Sequence, residues 1–499
     1  MTITPAGYFI IVVGLIAVML PSRTMILYLT IFFMPFTATA VVNLQNPSFG
    51  LQPGYFLGLL LMGRYVLEWL FRRGRQRLTQ LQRLTLMPFV LFVFIAGLSI
   101  LLIPFRDYVY VRRPSGDFQL LRLSMENFTQ FAYLAYVILL TVCIAASRLE
   151  PEEIRQAIRV LIASSIFVSL WGWAQLYMYY AGIPYPDFIF NNSTSFLQKY
   201  GQKIRLLGFK RMNSVAPEPS MFARFLLMPT FLCFYYVYNK AGSVMKPKAA
   251  LWLAIFFAVT LIFTSTSTAL VGLFGSLLIF LLYILSKRGR ISVKTYTLNE
   301  SMRTVFVVLL GFVGLPLALF SLATFAFGLT TDQIVQFIEI LLIDKADSES
   351  GGTRLDGALQ GLSLFGANPL FGVGWGSNRT FDLLTNILST TGIIGTLTFF
   401  VGNWLLAKRT AWLSKRFIHG NLTMMAEYPK ALFFALIVRL FGKFLSEPDI
   451  VYLDHWLLVG LIVATLRWAN LERLTPKVET VSHEFPQNGK LHEAVRLAS

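Results

Sequence analysis

Two stretches of this chain carry the residue types that could do chemistry. The first runs Arg205-Leu-Leu-Gly-Phe-Lys210-Arg211-Met-Asn-Ser-Val-Ala-Pro-Glu218-Pro-Ser220 and sets three cations and one carboxylate just ahead of an apolar segment. Pro219 fits the first turn of a helix, where its missing N–H costs nothing. Glu218 then stands at the positive end of the helix dipole, which favours its ionised form. One reading is an acidic cap on a helix start; the other is an anion site with a base beside it. The second stretch holds Ser350-Gly-Gly-Thr-Arg354-Leu-Asp356, then Asn368-Pro-Leu-Phe-Gly372-Val-Gly374-Trp-Gly376-Ser377-Asn378-Arg379. Alternate glycines let backbone N–H groups approach a bound group closely. Free N–H groups beside an arginine could cradle a phosphate. The spacing is not that of a nucleotide-binding fingerprint, and a glycine-rich entry into the next helix accounts for it equally.

The elements that must position these residues are membrane helices. Of 499 residues, 56% are hydrophobic and 14% charged, against roughly 25% charged in soluble domains. With a mean hydropathy of +0.63, that excludes a water-soluble enzyme and a disordered chain alike. The formal charge of +18 would suggest nucleic acid in a soluble protein; in a membrane protein it points to asymmetric loop charge, and no nucleic acid is expected. Cys143 and Cys233 both lie in apolar runs and build neither a disulfide framework nor a zinc motif.

A spanning helix needs about 20 mostly apolar residues. Candidates lie at 7–20, 25–42, 54–70, 86–103, 128–146, 157–180, 220–238, 249–264, 268–285, 305–327, 383–406, 430–445 and 453–468. The expected fold is an all-α polytopic membrane bundle of 12–13 transmembrane helices over 1–468, followed by a polar tail at 469–499. No basic region precedes the first run, so it reads as a retained helix. Every second connection is basic: Arg72, Arg73, Arg75, Arg77 and Arg83; Lys240, Lys246 and Lys248; Lys287, Arg288, Arg290 and Lys294; Lys408, Arg409, Lys415 and Arg416. The positive-inside rule puts these in the cytoplasm with the tail. The outer connections include long ones at 104–127, 181–219 and 328–382. The last is too apolar to be disordered and starts with an amphipathic stretch, Asp332 to Ile343, read as a helix lying on the outer membrane surface or packed on the bundle.

Residues 368–379, followed by Ser-Thr-Thr-Gly392-Ile-Ile-Gly395, resemble the core of the O-antigen polymerase and ligase superfamily. Arg354 and the long outer loop fit that pattern. Ala216-Pro-Glu218-Pro-Ser220 looks like the Glu-Pro-Ser element of exopolysaccharide polymerases in the same superfamily. The sharp motifs cover about 205–226 and 350–395. The resemblance implies a multi-pass bacterial inner-membrane enzyme with its active site facing the periplasm. It would be a metal-independent glycosyltransferase, without cofactor, acting on polyprenyl-diphosphate-linked oligosaccharides. Membrane lipids and a chain-length regulator protein are the other partners to expect. Polymerases join such repeat units into O-antigen, capsule or exopolysaccharide; ligases move a finished glycan to another acceptor. Ligases of this type usually show a His-Asn pair shortly after the glycine-rich stretch. Here that place holds Phe381-Asp382, which favours a polymerase.

In such a transfer a diphosphate leaves the anomeric carbon as a hydroxyl attacks, and fixed cations stabilise the charge that develops. Arginine suits this because its planar fork binds phosphate oxygens in pairs. Arg354, Arg379, Arg211 and Lys210 are the candidates for the diphosphate; their alternative role is contact with lipid headgroups. Glu218 is the first choice of base, ahead of Asp356, Asp382 and the Asp454-His455 pair. Arg64 and Glu68 read as a helix pair, and Thr264 to Thr268 as a capped turn. The aromatic group Trp171, Trp173, Tyr177, Tyr179, Tyr180 and Tyr185 reads as an interfacial belt. A transporter of lipid or polysaccharide is a further possibility, but no internal repeat supports it and the distinctive residues lie in loops rather than at mid-membrane.

Overall fold

Apolar runs long enough to span a bilayer must satisfy their own backbone hydrogen bonds, and the helix is the open-chain way to do so. The structure, a computed structural model, describes residues 1–20, 22–44, 49–71, 77–106, 109–112, 118–194, 205–206, 209–288, 332, 349–420 and 422–473. The apolar segment at 305–327, the amphipathic stretch after Asp332 and the tail beyond 473 lie outside these residues. Thirteen helices carry the bundle among the described residues: α1 Pro5–Met19, α2 Thr24–Phe33, α3 Pro53–Phe71, α4 Gln80–Leu101, α5 Met125–Ala146, α6 Pro151–Tyr180, α7 Pro219–Tyr238, α8 Pro247–Phe263, α9 Ser267–Arg288, α10 Glu349–Ala367, α11 Leu383–His419, α12 Thr423–Ser446 and α13 Leu453–Thr465. Six of them (α4, α5, α6, α7, α9 and α11) are long and apolar enough to cross a membrane, which makes this a multi-pass membrane protein. Proline opens α1, α3, α6, α7 and α8, the position where its ring is preorganised.

The second expected segment is shorter than the sequence reading. α2 ends at Phe33, because Pro35 follows and Val42–Leu44 forms a strand instead. That strand pairs antiparallel with Thr2–Ile3 and with Phe49–Leu51. The N-terminus therefore lies at the same end of the bundle as the α2–α3 connection. The α12–α13 connection joins them, since Tyr55 Oη donates to the Val451 carbonyl at 2.9 Å. So does the segment ahead of α7, where Ala38 N–H meets the Val215 carbonyl at 2.9 Å. At the opposite, basic end, Gln82 donates to the Ala145 and Val463 carbonyls. Arg64 pairs with Glu68 at 3.2 Å, as its spacing predicts, and also holds the Ala17 and Val18 carbonyls that end α1.

α7 is the central helix. Its apolar window is 78% buried, against 39–56% for the other five long spans. It packs on α8, α9 and α12, while α13 packs on α5 and α12. α13 is buried along its whole length. α11 is two helices in series. Gly392 breaks it with φ 65° and ψ −167°, and the chain at 369–374 folds back onto that break.

Candidate functional site

Glu218 occupies the N-cap position of α7 with extended backbone, yet its side chain makes no capping hydrogen bond. Instead the Ser220 hydroxyl donates to Glu218 Oε2 at 3.1 Å. The carboxylate is half-buried and caps no backbone N–H of α7, its contact with that helix being the Ser220 hydroxyl. Three of the cations expected from sequence, Arg211, Arg354 and Arg379, lie near enough to feel its charge. Arg211 donates Nε to the Thr264 carbonyl at 3.5 Å. Arg354, on α10, lies over the Phe381 ring at 5.9 Å. Arg379 pairs with Asp449 at 3.1 Å. Lys210 is buried in a two-residue strand pair with Arg205, and its N–H donates to Tyr180 Oη at 3.4 Å.

The electrostatics follow from crowding. Burial pulls the Arg211 pKa down, with Glu218 opposing. Arg354 is lowered by burial and then by Arg224 nearby, again against Glu218. Arg379 is raised, chiefly by Asp449. Two guanidiniums that repel one another, Arg354 and Arg224, favour an added anion between them.

Beneath this layer lies a buried ionic network that the sequence reading passed over. Arg224 on α7, Arg439 and Lys443 on α12, Glu447 in the connection and Asp454 on α13 are each at most 7% exposed. Glu447 takes Arg439 at 2.5 Å, Lys443 at 3.3 Å and Arg224 at 3.8 Å. Arg439 also pairs with Asp454, and Arg224 donates to the Ser446 carbonyl. The signal was present in the sequence: ionisable residues inside an apolar run are a functional hypothesis by default, and Arg439, Lys443 and Glu447 stand four apart. Arg224, Arg439, Glu447, Tyr452 and Asp454 line a cleft of about 520 Å³, partly open to solvent, with Tyr55, Met221, Phe222 and Phe225 among its apolar walls.

The Pro448–Val451 connection is strapped in place carbonyl by carbonyl. Asn386 donates to Pro448 O, Lys443 to Asp449 O, Trp456 to Ile450 O and Tyr55 to Val451 O. On its other side a second cleft of about 400 Å³ is lined by Gln130, Trp375, Asn378, Arg379, Asn386 and Asp449.

Several expectations need correction. The first half of the glycine-rich loop does not offer a phosphate cradle, since its N–H groups from Gly372 to Trp375 are already engaged. Gly372 N–H goes to Asn368 O (2.9 Å), Val373 N–H to Ser389 O (2.7 Å), Gly374 N–H to Thr390 O (3.1 Å) and Trp375 N–H to Ser99 Oγ (3.0 Å). Gly372, Gly374 and Gly376 all have positive φ, which explains the glycines by backbone conformation. Asp382 is the N-cap of α11, accepting Thr385 N–H at 2.9 Å, so its carboxylate is occupied. Asp356 is exposed; two residues on from Arg354, it points some 200° around α10. His455 is fully buried between Phe399 and Trp456, and neither ring nitrogen has a hydrogen-bond partner among the described residues. It does not open onto Glu218. The capped turn expected at Thr264 to Thr268 is present in part: Thr264 to Thr266 join α8 to α9, and Thr266 Oγ1 accepts Ala269 N–H at 3.0 Å, while Ser267 and Thr268 open α9. The aromatic group divides: Tyr177 and Tyr180 are exposed, while Trp171, Tyr185 and Asn191 form a hydrogen-bonded chain.

No family model matches the chain, and no curated protein matches it.

Proposed function

We propose that this protein is a bacterial inner-membrane glycan polymerase, joining polyprenyl-diphosphate-linked oligosaccharide repeat units at the periplasmic face. One observation carries the reading: a carboxylate that caps no backbone N–H of its own helix, Glu218, lies within the electrostatic reach of Arg211, Arg354 and Arg379 at one end of an apolar bundle. An anionic substrate anchored by a lipid needs cations at the edge of a membrane, and a hydroxyl nucleophile needs a base beside them. The diphosphate oxygens are bound by the guanidiniums of Arg354 and Arg379, with Arg211 behind and Arg224 facing the lined cleft. Glu218 accepts the proton of the acceptor hydroxyl as its oxygen bonds to the anomeric carbon. The bond from that carbon to the diphosphate breaks, and the lipid diphosphate leaves as an anion held by the same arginines. Such a base contributes about 10²–10⁴-fold. No step requires a metal or cofactor.

The test uses purified protein in nanodiscs with the host's own lipid-linked repeat unit, with and without chelator, read out as a product ladder. Glu218→Gln should abolish the ladder, and chelator should leave the wild-type ladder unchanged. A full ladder from correctly assembled Glu218→Gln would end the proposal.

A further inference from the structure

We propose that the second cleft, beside Trp375, is a subsite for a neutral pyranose ring of the glycan. This rests on the glycan-transfer reading and names where part of that substrate sits. Trp375 lines the cleft and is 4% exposed, yet its indole N–H has no acceptor among the described residues. A buried donor without an acceptor is costly, and native structures seldom leave one without a reason. The residue is otherwise pinned. Its backbone N–H reaches Ser99 Oγ at 3.0 Å, its carbonyl accepts from Asn127 at 2.7 Å, and its ring stands edge-on to Phe92 at 5.7 Å. The donor is therefore held in one place, as a preorganised binding group must be.

The rest of the lining favours hydroxyls over charge. Gln130, Asn378 and Asn386 are amides, which both donate and accept as sugar hydroxyls do; Asn378 donates to Ser389 Oγ and Asn386 is taken by Pro448 O and Thr380 N–H, so Gln130 is the amide that meets the ring. Arg379, the cation of the cleft, is already paired with Asp449. A phosphate would meet the Asp449 carboxylate and no unpaired charge, whereas a neutral ring meets donors and acceptors. The strapped connection separates this cleft from the one lined by Arg224 and Arg439. Arg379 reaches both this cleft and Glu218. A sugar seated against Trp375 is thus held beside the charges that would act on its neighbour.

The test is ligand-observed saturation-transfer NMR on the detergent-purified full chain, using methyl pyranosides of glucose, galactose, mannose, rhamnose and N-acetylglucosamine. At least one probe should receive saturation from the wild type. Trp375→Phe, which keeps the ring and removes the donor, and Gln130→Ala should each raise its dissociation constant roughly fivefold to tenfold, the worth of one net hydrogen bond. Glu218→Gln should bind the probe as the wild type does. No transfer to any probe would overturn the proposal, as would equal transfer to well-folded Trp375→Phe and Gln130→Ala. Glu218→Gln separates the two readings: a wild-type product ladder from that variant refutes glycan transfer through Glu218, while the sugar-binding result stands or falls on Trp375 and Gln130.

Discussion

Arg379 meets Asp449 across 3.1 Å, and through this pair the glycine-rich loop is joined to the strapped connection between α12 and α13. The arginine is thereby fixed where its charge still reaches Glu218, and the pair lines the second cleft. Both side chains remain partly exposed, so solvent screening limits the pair's contribution to stability to about 1 kcal/mol or less.

Activity and stability should therefore separate at Arg379. Arg379→Ala is expected to change the unfolding midpoint in detergent only slightly while cutting polymerisation roughly a hundredfold or more, the usual cost of one fixed donor at a developing anion. Arg379→Lys retains the charge but loses the fork, and should recover only part of the rate. A wild-type product ladder from Arg379→Ala would remove this residue from the chemistry.

Glu447 should behave in the opposite way. It is 2% exposed and holds Arg439 and Lys443. Glu447→Gln leaves those cations buried without their counter-charge, which costs about 3–5 kcal/mol and should appear as a large loss in denaturant midpoint. Burial alone would raise the Glu447 pKa, but Arg439, Lys443 and Arg224 outweigh it and hold the carboxyl well below the usual carboxylate range. A depressed folded-state pKa contributes stability above the unfolded value of about 4.3 and loses it as pH falls toward the folded one. Wild-type stability should thus decline below about pH 4, and Glu447→Gln should show a shallower decline.

Arg211, Arg354 and Arg379 stand out in the sequence because each is a charge near a helix start or in its first turns, in a chain with few charges. Arg224, Arg439 and Lys443 carry a signal as ionisable residues inside apolar runs, but averaging hydropathy over a window hides it, because a single charge is absorbed among many apolar neighbours. The spacing of the glycines leaves two roles open for another reason. Whether an N–H group is free depends on its tertiary partner, and the acceptors of Val373 and Gly374 are the Ser389 and Thr390 carbonyls, exposed for pairing by the break at Gly392. Nothing in the spacing of the glycines announces that break.

The break itself can be probed at Gly392. Its φ of 65° is strained for any L side chain, and a Cβ there would collide with the Leu370 carbonyl. Gly392→Ala must either adopt that backbone at about 1–3 kcal/mol or straighten α11 and release the 369–374 segment. A lowered thermal midpoint is expected, with increased hydrogen exchange at Val373 and Gly374. Unchanged exchange at those amides would mean that the helix break does not hold the loop.

Asp382 distinguishes a cap from a base. Its carboxylate accepts the Thr385 N–H at 2.9 Å and also bonds the Thr385 hydroxyl, both of which lie within the first turn of α11. Asparagine caps about as well as aspartate, whereas alanine loses about 1 kcal/mol. Asp382→Asn should therefore retain both the stability and the product ladder of the wild type, and Asp382→Ala should lose stability while the surviving folded protein still polymerises. A general base cannot be replaced by an amide, so loss of the ladder in well-folded Asp382→Asn would return Asp382 to the chemistry and weaken the case for Glu218.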